Sequence, residues 1–136
     1  MTLPSQQEIV DDIAFFDDWE QRYQYIIDLG KSIPILDQQL KTDELLVPGC
    51  QSKLWLLSQL KDGVMQFQAA SDAIIVNGLL AIVLAAYQKQ TPTQILAFDI
   101  DSYLKSLDLE QHISPTRGNG LRAIVGKIQA VAKTQL

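Results

Sequence analysis

Residues 53–72 read KLWLLSQLKDGVMQFQAASD, in which Asp62-Gly63 separates two runs rich in β-forming residues. Asp-Gly between such runs is a strong signal for a two-residue β-hairpin turn. A two-residue loop pairs Lys61 with Val64, so the numbers of opposed residues sum to 125. This register predicts an apolar face of Leu54, Leu56, Leu60, Met65, Phe67 and Ala69 and a mostly polar face of Lys53, Trp55, Leu57, Gln59, Gln66, Gln68 and Asp72.

Two helices are predicted upstream of the hairpin. Ser5 stands three residues before Glu8, which is capping-box spacing and predicts the start of the first helix. The second is predicted to start near Asp17 or Asp18 and to end at Gly30, a residue suited to the left-handed conformation at a helix C-terminus. We expect a helical hairpin whose inner faces carry Ile9, Ile13 and Phe16 from the first helix and Trp19, Tyr23, Ile26 and Ile27 from the second.

Downstream of the hairpin, residues 74–87 are almost all apolar and predict a central helix covered on every side. The stretch is shorter than the roughly 20 residues that cross a bilayer, so no membrane segment is expected. Thr91-Pro92 starts a short helix through Ala97, and a second short helix is predicted over residues 102–107. Ser114-Pro115 opens a last helix with an inner face of Leu121, Ile124, Val125, Ile128, Val131 and Ala132 and an outer face that includes Arg122, Lys127 and Lys133.

Helices, then an antiparallel hairpin, then further helices indicate an α+β fold of two layers, a small antiparallel sheet packed against several helices. No repeat, low-complexity tract or long linker interrupts residues 1–136. The sequence therefore predicts a single domain.

The composition argues against several classes of function. A formal net charge of −5 disfavours nucleic-acid binding, which depends on clustered Lys and Arg. The N-terminal residues lack the pattern of a secretion leader, and the one cysteine cannot form an internal disulfide, so we expect a cytoplasmic location. One Cys and one His cannot complete a four-ligand zinc site, so no metal is expected. We expect no resident cofactor either.

Cys50 is the first candidate for chemistry, because it follows Pro48-Gly49, a turn signal just ahead of the first strand. A lone cysteine is commonly a small buried hydrophobe. A turn, however, brings the thiol near solvent, and the neighbouring glycine lets another molecule approach closely. These residues alone leave the inert and the reactive interpretation equally open.

Two side chains are candidate partners of the thiol. His112, the only imidazole, can serve as the base of a Cys–His pair, although a place at the C-terminus of a short helix explains it without chemistry and is the preferred interpretation. Asp72 lies opposite Lys53 in the hairpin register and so is a neighbour of Cys50. A helix N-cap or a cross-strand ion pair explains Asp72 without function.

Arg117 begins the run Arg117-Gly118-Asn119-Gly120 in the first turns of the last helix. Two glycines there cost about 1 kcal/mol each relative to alanine, so another factor must favour them. One interpretation is an exposed, positive helix start that stabilises a thiolate or persulfide, with Arg117 adding a cation. The other is that the glycines let the last helix cross the sheet closely while Arg117 faces solvent.

Four spaced motifs together resemble the SufE-like sulfur acceptors. VPGCQSKLW at residues 47–55 is similar to the cysteine signature of that family, and SDAIIVNGL at 71–79 to its segment after the hairpin. Thr91-Pro92 with Phe98-Asp99 resembles its next stretch, and residues 109–121 resemble its signature of His, a hydrophobic residue, Ser/Thr, Pro, Ser/Thr and Arg. The resemblance covers essentially the whole chain, with small departures at Gly118 and Asn119.

The resemblance implies a fold shared with Fe–S scaffold proteins of the IscU type and a function in sulfur transfer. Cys50 would take persulfide sulfur from a pyridoxal-phosphate cysteine desulfurase of the SufS or CsdA type, stimulate that enzyme, and pass the sulfur to a downstream Fe–S scaffold or acceptor. The family also implies that the cysteine loop tucks its sulfur against apolar residues, here Leu45, Leu46 and Val47.

A chain with this role is a transpersulfuration partner rather than a stand-alone enzyme, and we expect a monomer or weak dimer. Two rival functions remain: a thiol hydrolase that uses Cys50 and His112, and an interaction module that activates a desulfurase by docking alone.

Overall fold

The structure is a computed structural model that describes residues 3–33, 36–48, 53–109 and 112–136, the side chains of Thr116 and Arg117 excepted. In these ranges the chain forms helices and a two-stranded antiparallel sheet, which confirms the α+β prediction. The helices are α1 (Gln6–Phe15), α2 (Trp19–Leu29), α3 (Ile74–Tyr87), α4 (Pro92–Ala97), α5 (Ile100–Ser106) and α6 (Pro115–Thr134), and the strands are β1 (Leu54–Lys61) and β2 (Val64–Ser71).

The β-hairpin has the predicted register, from Leu54 opposite Ser71 to Lys61 opposite Val64. Asp62 and Gly63 both have positive φ angles, 55° and 82°, as a type I′ turn requires. The prediction for Leu60 is wrong, because its side chain is 45% exposed while burial declines along β1 toward the turn. The other predicted members of the apolar face are buried: Leu54, Leu56, Met65, Phe67 and Ala69.

Helix α3 is the centre of the fold, as its apolar composition predicts. Every residue from Gly78 to Leu84 is buried, and α3 packs against α1, α2, β2 and α6. Ile74 in its first turn is the exception, with 69% of its surface exposed. No helix in the described ranges is both long and apolar enough to cross a membrane.

Two glycines allow α2 and α3 to cross at close range. A Cβ atom at Gly78 would lie 2.2 Å from the carbonyl oxygen of Ile26, and one at Gly30 would lie 2.9 Å from the backbone nitrogen of Gly78. The predicted left-handed conformation of Gly30 is wrong, because its φ and ψ of −58° and −22° are right-handed helical. Gly30 is therefore explained by the crossing and not by its backbone angles.

The first two helices pack more on the rest of the fold than on each other, because α1 packs mainly on α3 and α5 and α2 packs mainly on α3. Side chains still link the two helices, since the Tyr25 hydroxyl donates to Asp12 and the Phe16 and Tyr25 rings are 5.7 Å apart. Ser5 and Asp18 cap the two helix starts as expected, each accepting a backbone N–H bond. Phe16 lies just beyond α1 and is half-buried.

The C-terminal helices follow the predicted order. Thr91 and Gln94 form a complete capping box at the start of α4. Helix α5 begins two residues earlier than predicted, because Asp99 caps it by accepting from the Ser102 backbone. The buried Tyr103 hydroxyl donates to the Ile82 carbonyl, which ties α5 to α3, and burial raises the Tyr103 pKa. The α6 inner face is buried as predicted, with Val131 partly so.

Side-chain amides from the ends of α3 cover the outer edge of β2. Asn77 Oδ1 accepts the Ser71 N–H at 2.8 Å and its Nδ2 donates to the Ser71 carbonyl at 3.2 Å. Gln88 does the same for Phe67, at 2.7 and 2.9 Å. The backbone that follows α3 bonds to the same edge, because the Lys89 N–H donates to the Met65 carbonyl and the Met65 N–H donates to the Gln90 carbonyl. The strand is thus anchored to the central helix by hydrogen bonds as well as by apolar packing.

Candidate functional site

Cys50 lies outside the described residues, but the two ends of the segment that contains it are defined. The Val47 N–H donates to the Leu54 carbonyl at 2.8 Å, and Leu46 forms an antiparallel bridge with Trp55. Val47 is buried while Pro48 is exposed. The chain therefore leaves the core at Val47 and rejoins the sheet directly beside its point of departure.

The C-terminal end of this segment, at Lys53, is anchored by hydrogen bonds to the end of β2. The Lys53 carbonyl accepts two hydrogen bonds, from the Ser71 hydroxyl at 2.8 Å and from the Asp72 N–H at 3.2 Å. Ser71 is 9% exposed, and its backbone is held by Asn77. A continuous set of hydrogen bonds therefore connects the central helix to the segment that contains Cys50.

Asp72 occupies the predicted position opposite Lys53, but neither structural explanation of its side chain holds. The N-cap of α3 is Ala73, which makes no side-chain cap bond. No ion pair joins Asp72 to Lys53, both of which are in the described part of the chain. Its backbone N–H anchors Lys53, and its side chain is exposed beside the cysteine segment.

His112 is held by an aromatic stack. Its imidazole lies 3.8 Å from the Trp19 ring, centre to centre, at an angle of 11°. The Arg22 guanidinium carbon lies 5.2 Å from the centre of the same indole ring. His112 Nδ1 is 3.1 Å from the Asp108 carbonyl oxygen, so a neutral imidazole donates from Nδ1 and leaves Nε2 as its acceptor. The prediction that His112 ends a short helix is wrong, because α5 ends at Ser106.

Arg117 lies in the first turn of α6, and its side chain is not among those described. Among the described residues, a Cβ at Gly118 would meet the Arg122 guanidinium at 3.7 Å and the Ile113 side chain at 3.9 Å, which are ordinary contacts. Close packing against the described residues therefore does not explain the glycine at position 118. Gly118 instead lines a small pocket of about 110 Å³ that also includes residues of α5.

Two residues that shape the site were not singled out from the sequence, namely Ser71 and Asn77. A signal for Asn77 was present, since it is the one polar residue between Ile74 and Tyr87. Trp55 is the one aromatic residue of the predicted polar face, and it is half-buried. Leu46 pairs with it, and the Lys41 ammonium group lies 5.6 Å from the centre of its indole ring. Aromatic and aliphatic groups thus border the cysteine segment on the strand side.

Among the described residues, no group of three or more His, Cys, Asp and Glu side chains is arranged to hold a metal ion.

Comparisons with known proteins agree over nearly the full chain. The family model for SufE, described as an Fe–S metabolism associated domain, matches residues 7–132. An uncharacterised SufE-like protein of Rhizobium etli is 40% identical over 137 residues, which cover 98% of this chain and 93% of the relative. One of Rhizobium meliloti is 38% identical over 138 residues, covering 98% of this chain and 99% of the relative.

A solution structure of a hypothetical protein from Thermus thermophilus has a similar fold. Its TM-score is 0.78 and its sequence identity is 17%, over 98% of this chain and 97% of that chain. At this identity the likeness concerns the fold alone.

Proposed function

The chain belongs to the SufE family, whose domain is associated with Fe–S metabolism, and from this we propose that it accepts sulfur from a cysteine desulfurase on Cys50. Family membership over residues 7–132 is the observation that carries the proposal, because it is independent of any assumption about the thiol. In this proposal the chain is a carrier that delivers the sulfur to a downstream Fe–S scaffold or acceptor.

The surroundings of the cysteine segment support a carrier. Both ends of the segment are fixed to the sheet, by Val47 and Leu54 on one side and by Lys53 and Ser71 on the other. A short segment closed in this way can present one side chain to a partner while the core stays intact. The exposed side chains of Pro48, Lys53 and Asp72 leave this side of the molecule accessible.

The proposed reaction is a thiol exchange that conserves electrons. The Cys50 thiolate attacks the terminal sulfur of the desulfurase persulfide, a new sulfur–sulfur bond forms on Cys50, and the sulfur–sulfur bond of the donor breaks. The donor cysteine leaves as a thiolate. Pyridoxal phosphate belongs to the desulfurase and takes no part in this step.

Intact mass spectrometry tests the proposal. After incubation with a cysteine desulfurase and free cysteine, we expect the protein to gain the mass of added sulfur atoms, and a Cys50→Ser variant to gain none. Reductant should remove the added mass. A wild-type chain that stays unmodified while the desulfurase turns over would contradict the carrier function.

Two activity assays separate the rival functions. If the chain activates the desulfurase by docking alone, its Cys50→Ser variant would still stimulate the enzyme. If the chain is a Cys–His hydrolase, it would turn over an ester or amide with no protein partner, and its His112→Ala variant would lose that activity. The stack of His112 on Trp19 and its bond to Asp108 offer a structural use for the imidazole that needs no thiol.

The first turn of α6 supplies a second prediction. An unperturbed thiol has a pKa of about 8.5, so only a few per cent is thiolate near neutral pH. We propose that the Arg117 cation and the positive end of α6 favour the thiolate and lower the Cys50 pKa. Arg117→Ala should therefore move the pH midpoint of Cys50 alkylation upward, by up to about one unit.

Arg122→Ala is the matched control for this shift, since Arg122 is an exposed arginine of the same helix that bonds to Asn119. Its alkylation midpoint should match that of the wild type. Identical midpoints for Arg117→Ala and the wild type would assign Arg117 a structural or docking role instead.

A further inference from the structure

An aromatic cluster lies where α1 is followed by α2. Phe15 at the end of α1 is 81% exposed, and its ring centre is 5.8 Å from that of Phe16. Trp19 and Tyr23 in α2 are partly exposed, with ring centres also 5.8 Å apart. Arg22 connects the two pairs, because its Nε donates to the Phe16 carbonyl and its guanidinium carbon lies 5.2 Å from the Trp19 ring centre. We call these five residues the α1–α2 corner.

Two rings of the α1–α2 corner are held in place by neighbouring side chains. The Phe16 ring packs 5.7 Å from that of Tyr25, whose hydroxyl donates to Asp12. The Trp19 ring is stacked on His112 at 3.8 Å. Side chains that are already fixed lose little entropy when a partner binds. Aromatic residues and arginine are also enriched at protein–protein interfaces. The corner therefore has both the composition and the rigidity of a binding surface.

The charge around the corner indicates what kind of partner it fits. Residues 1–28 contain seven acidic residues and one arginine and so carry a formal charge of −6, whereas the whole chain carries −5. Asp17 and Asp18 stand between Phe16 and Trp19 in the chain, and both are exposed. Acids that border an apolar patch attract a basic surface and disfavour an acidic one. The corner therefore fits a protein surface in which an apolar pocket is bordered by Lys and Arg side chains.

A cysteine desulfurase needs more contact area than the cysteine segment offers. Pro48, Lys53 and Asp72 are the exposed side chains described beside that segment. Each side of a stable interface contains about 20–30 residues over about 800 Å², which corresponds to a disc roughly 30 Å across. The enzyme must therefore contact surface that lies well beyond these three side chains.

The corner lies within the reach of such an interface. The 11 residues of α2 span about 16 Å. At the far end of α2, a Cβ at Gly30 would lie 3.0 Å from the Asn77 Cβ. Asn77 bonds to Ser71, which anchors Lys53 at the end of the cysteine segment. One partner of ordinary size can therefore contact the corner and the cysteine segment together.

We propose that the α1–α2 corner is a docking surface for the cysteine desulfurase, with Phe15 inserted into an apolar pocket of the enzyme that Lys and Arg side chains border. This inference rests on the proposed function and adds the surface that the enzyme recognises. The corner contributes to affinity and takes no part in the reaction of the thiol. Its loss should therefore raise the KM of the desulfurase for this chain and leave kcat at saturation unchanged.

Alanine release by the desulfurase, measured at increasing concentrations of this chain, gives that KM. We expect Phe15→Ser to raise it about tenfold, because an aromatic anchor of the interface is lost. Leu136→Ser is the matched control, since Leu136 is also highly exposed, at 75%, and lies outside the corner. It should keep the wild-type KM, and circular dichroism should show both variants folded. An unchanged KM in Phe15→Ser, or an equal rise in Leu136→Ser, would overturn the proposal.

Asp17→Asn tests the acidic border of the corner. The cap of α2 is Asp18, so this change leaves the cap in place. KM should rise about two- to threefold at low salt, and the difference from the wild type should shrink as salt is added. Asp62→Asn removes the same charge at the hairpin turn, where Asn-Gly preserves the type I′ geometry, and should leave KM unchanged. Equal effects of the two changes would contradict a docking role for the acids of the corner.

Cross-linking and intact mass together separate a failure of this inference from a failure of the proposed function. A benzophenone side chain at position 15 should cross-link to the desulfurase on irradiation, and one at position 136 should not. If the wild-type chain gains no sulfur from the desulfurase, the proposed function fails and the docking surface fails with it. If the wild-type chain gains sulfur but position 15 forms no cross-link, this inference alone is overturned.

Discussion

Gly78→Ala is expected to destabilise the protein by about 3 kcal/mol, despite the ~1 kcal/mol that alanine gains over glycine within a helix. The added methyl group would lie 2.2 Å from the carbonyl oxygen and 2.7 Å from the carbonyl carbon of Ile26, which are backbone atoms of α2. Since neither atom can rotate away, α2 must move off α3 and lose packing along the crossing. Urea unfolding followed by circular dichroism measures the change.

Gly126→Ala is the matched control, because it makes the same substitution inside α6, where no atom of the described residues lies within 4 Å of the new methyl group. It should stabilise the protein by up to about 1 kcal/mol through helix propensity and the lower entropy of the unfolded chain. Opposite signs for the two variants would show that the helix crossing, and not glycine as such, decides the effect. A Gly78→Ala variant as stable as the wild type would contradict this account of the α2–α3 packing.

The hairpin and the central helix could be predicted because each has a local cause. Asp62-Gly63 determines the turn type, the turn determines the register, and an apolar stretch with no polar stripe must be covered by other elements. The structural role of Gly30 could not be predicted from such a local cause. A glycine near a helix end suits a left-handed cap or a close helix approach, and only the position of Gly78 distinguishes them.

Motifs indicated Cys50, Asp72, His112 and Arg117 as candidate site residues, and the hairpin register placed Asp72 opposite Lys53. The other contacts of these residues could not be predicted. The stack of His112 on Trp19 joins residues far apart in the chain. The N-cap of α3 is Ala73 and not Asp72. Such contacts depend on how the elements pack together, which is decided by the whole core rather than by a local pattern.

Asn77→Ala and Gln88→Ala should have similar effects on stability and different effects on sulfur transfer. Each removes an amide that forms two bonds to one residue of β2, Ser71 for Asn77 and Phe67 for Gln88. Leaving these partly buried groups unpaired costs about 2–3 kcal/mol in either variant. Thermal or urea unfolding should therefore rank both variants below the wild type by a comparable margin.

Sulfur transfer should separate the pair, because only Ser71 continues to the cysteine segment through the Lys53 carbonyl. With both variants folded, we expect Asn77→Ala to accept sulfur about tenfold more slowly, since modest misplacement of a reacting group is costly. Gln88→Ala should keep the wild-type rate, because Phe67 lies farther along β2 from this exit. Amide hydrogen exchange at residues 46–54 should accelerate in Asn77→Ala alone. Equal loss of transfer in the two variants would mean that β2 supports the site only through overall stability, and that the hydrogen bonds to Lys53 do not position Cys50.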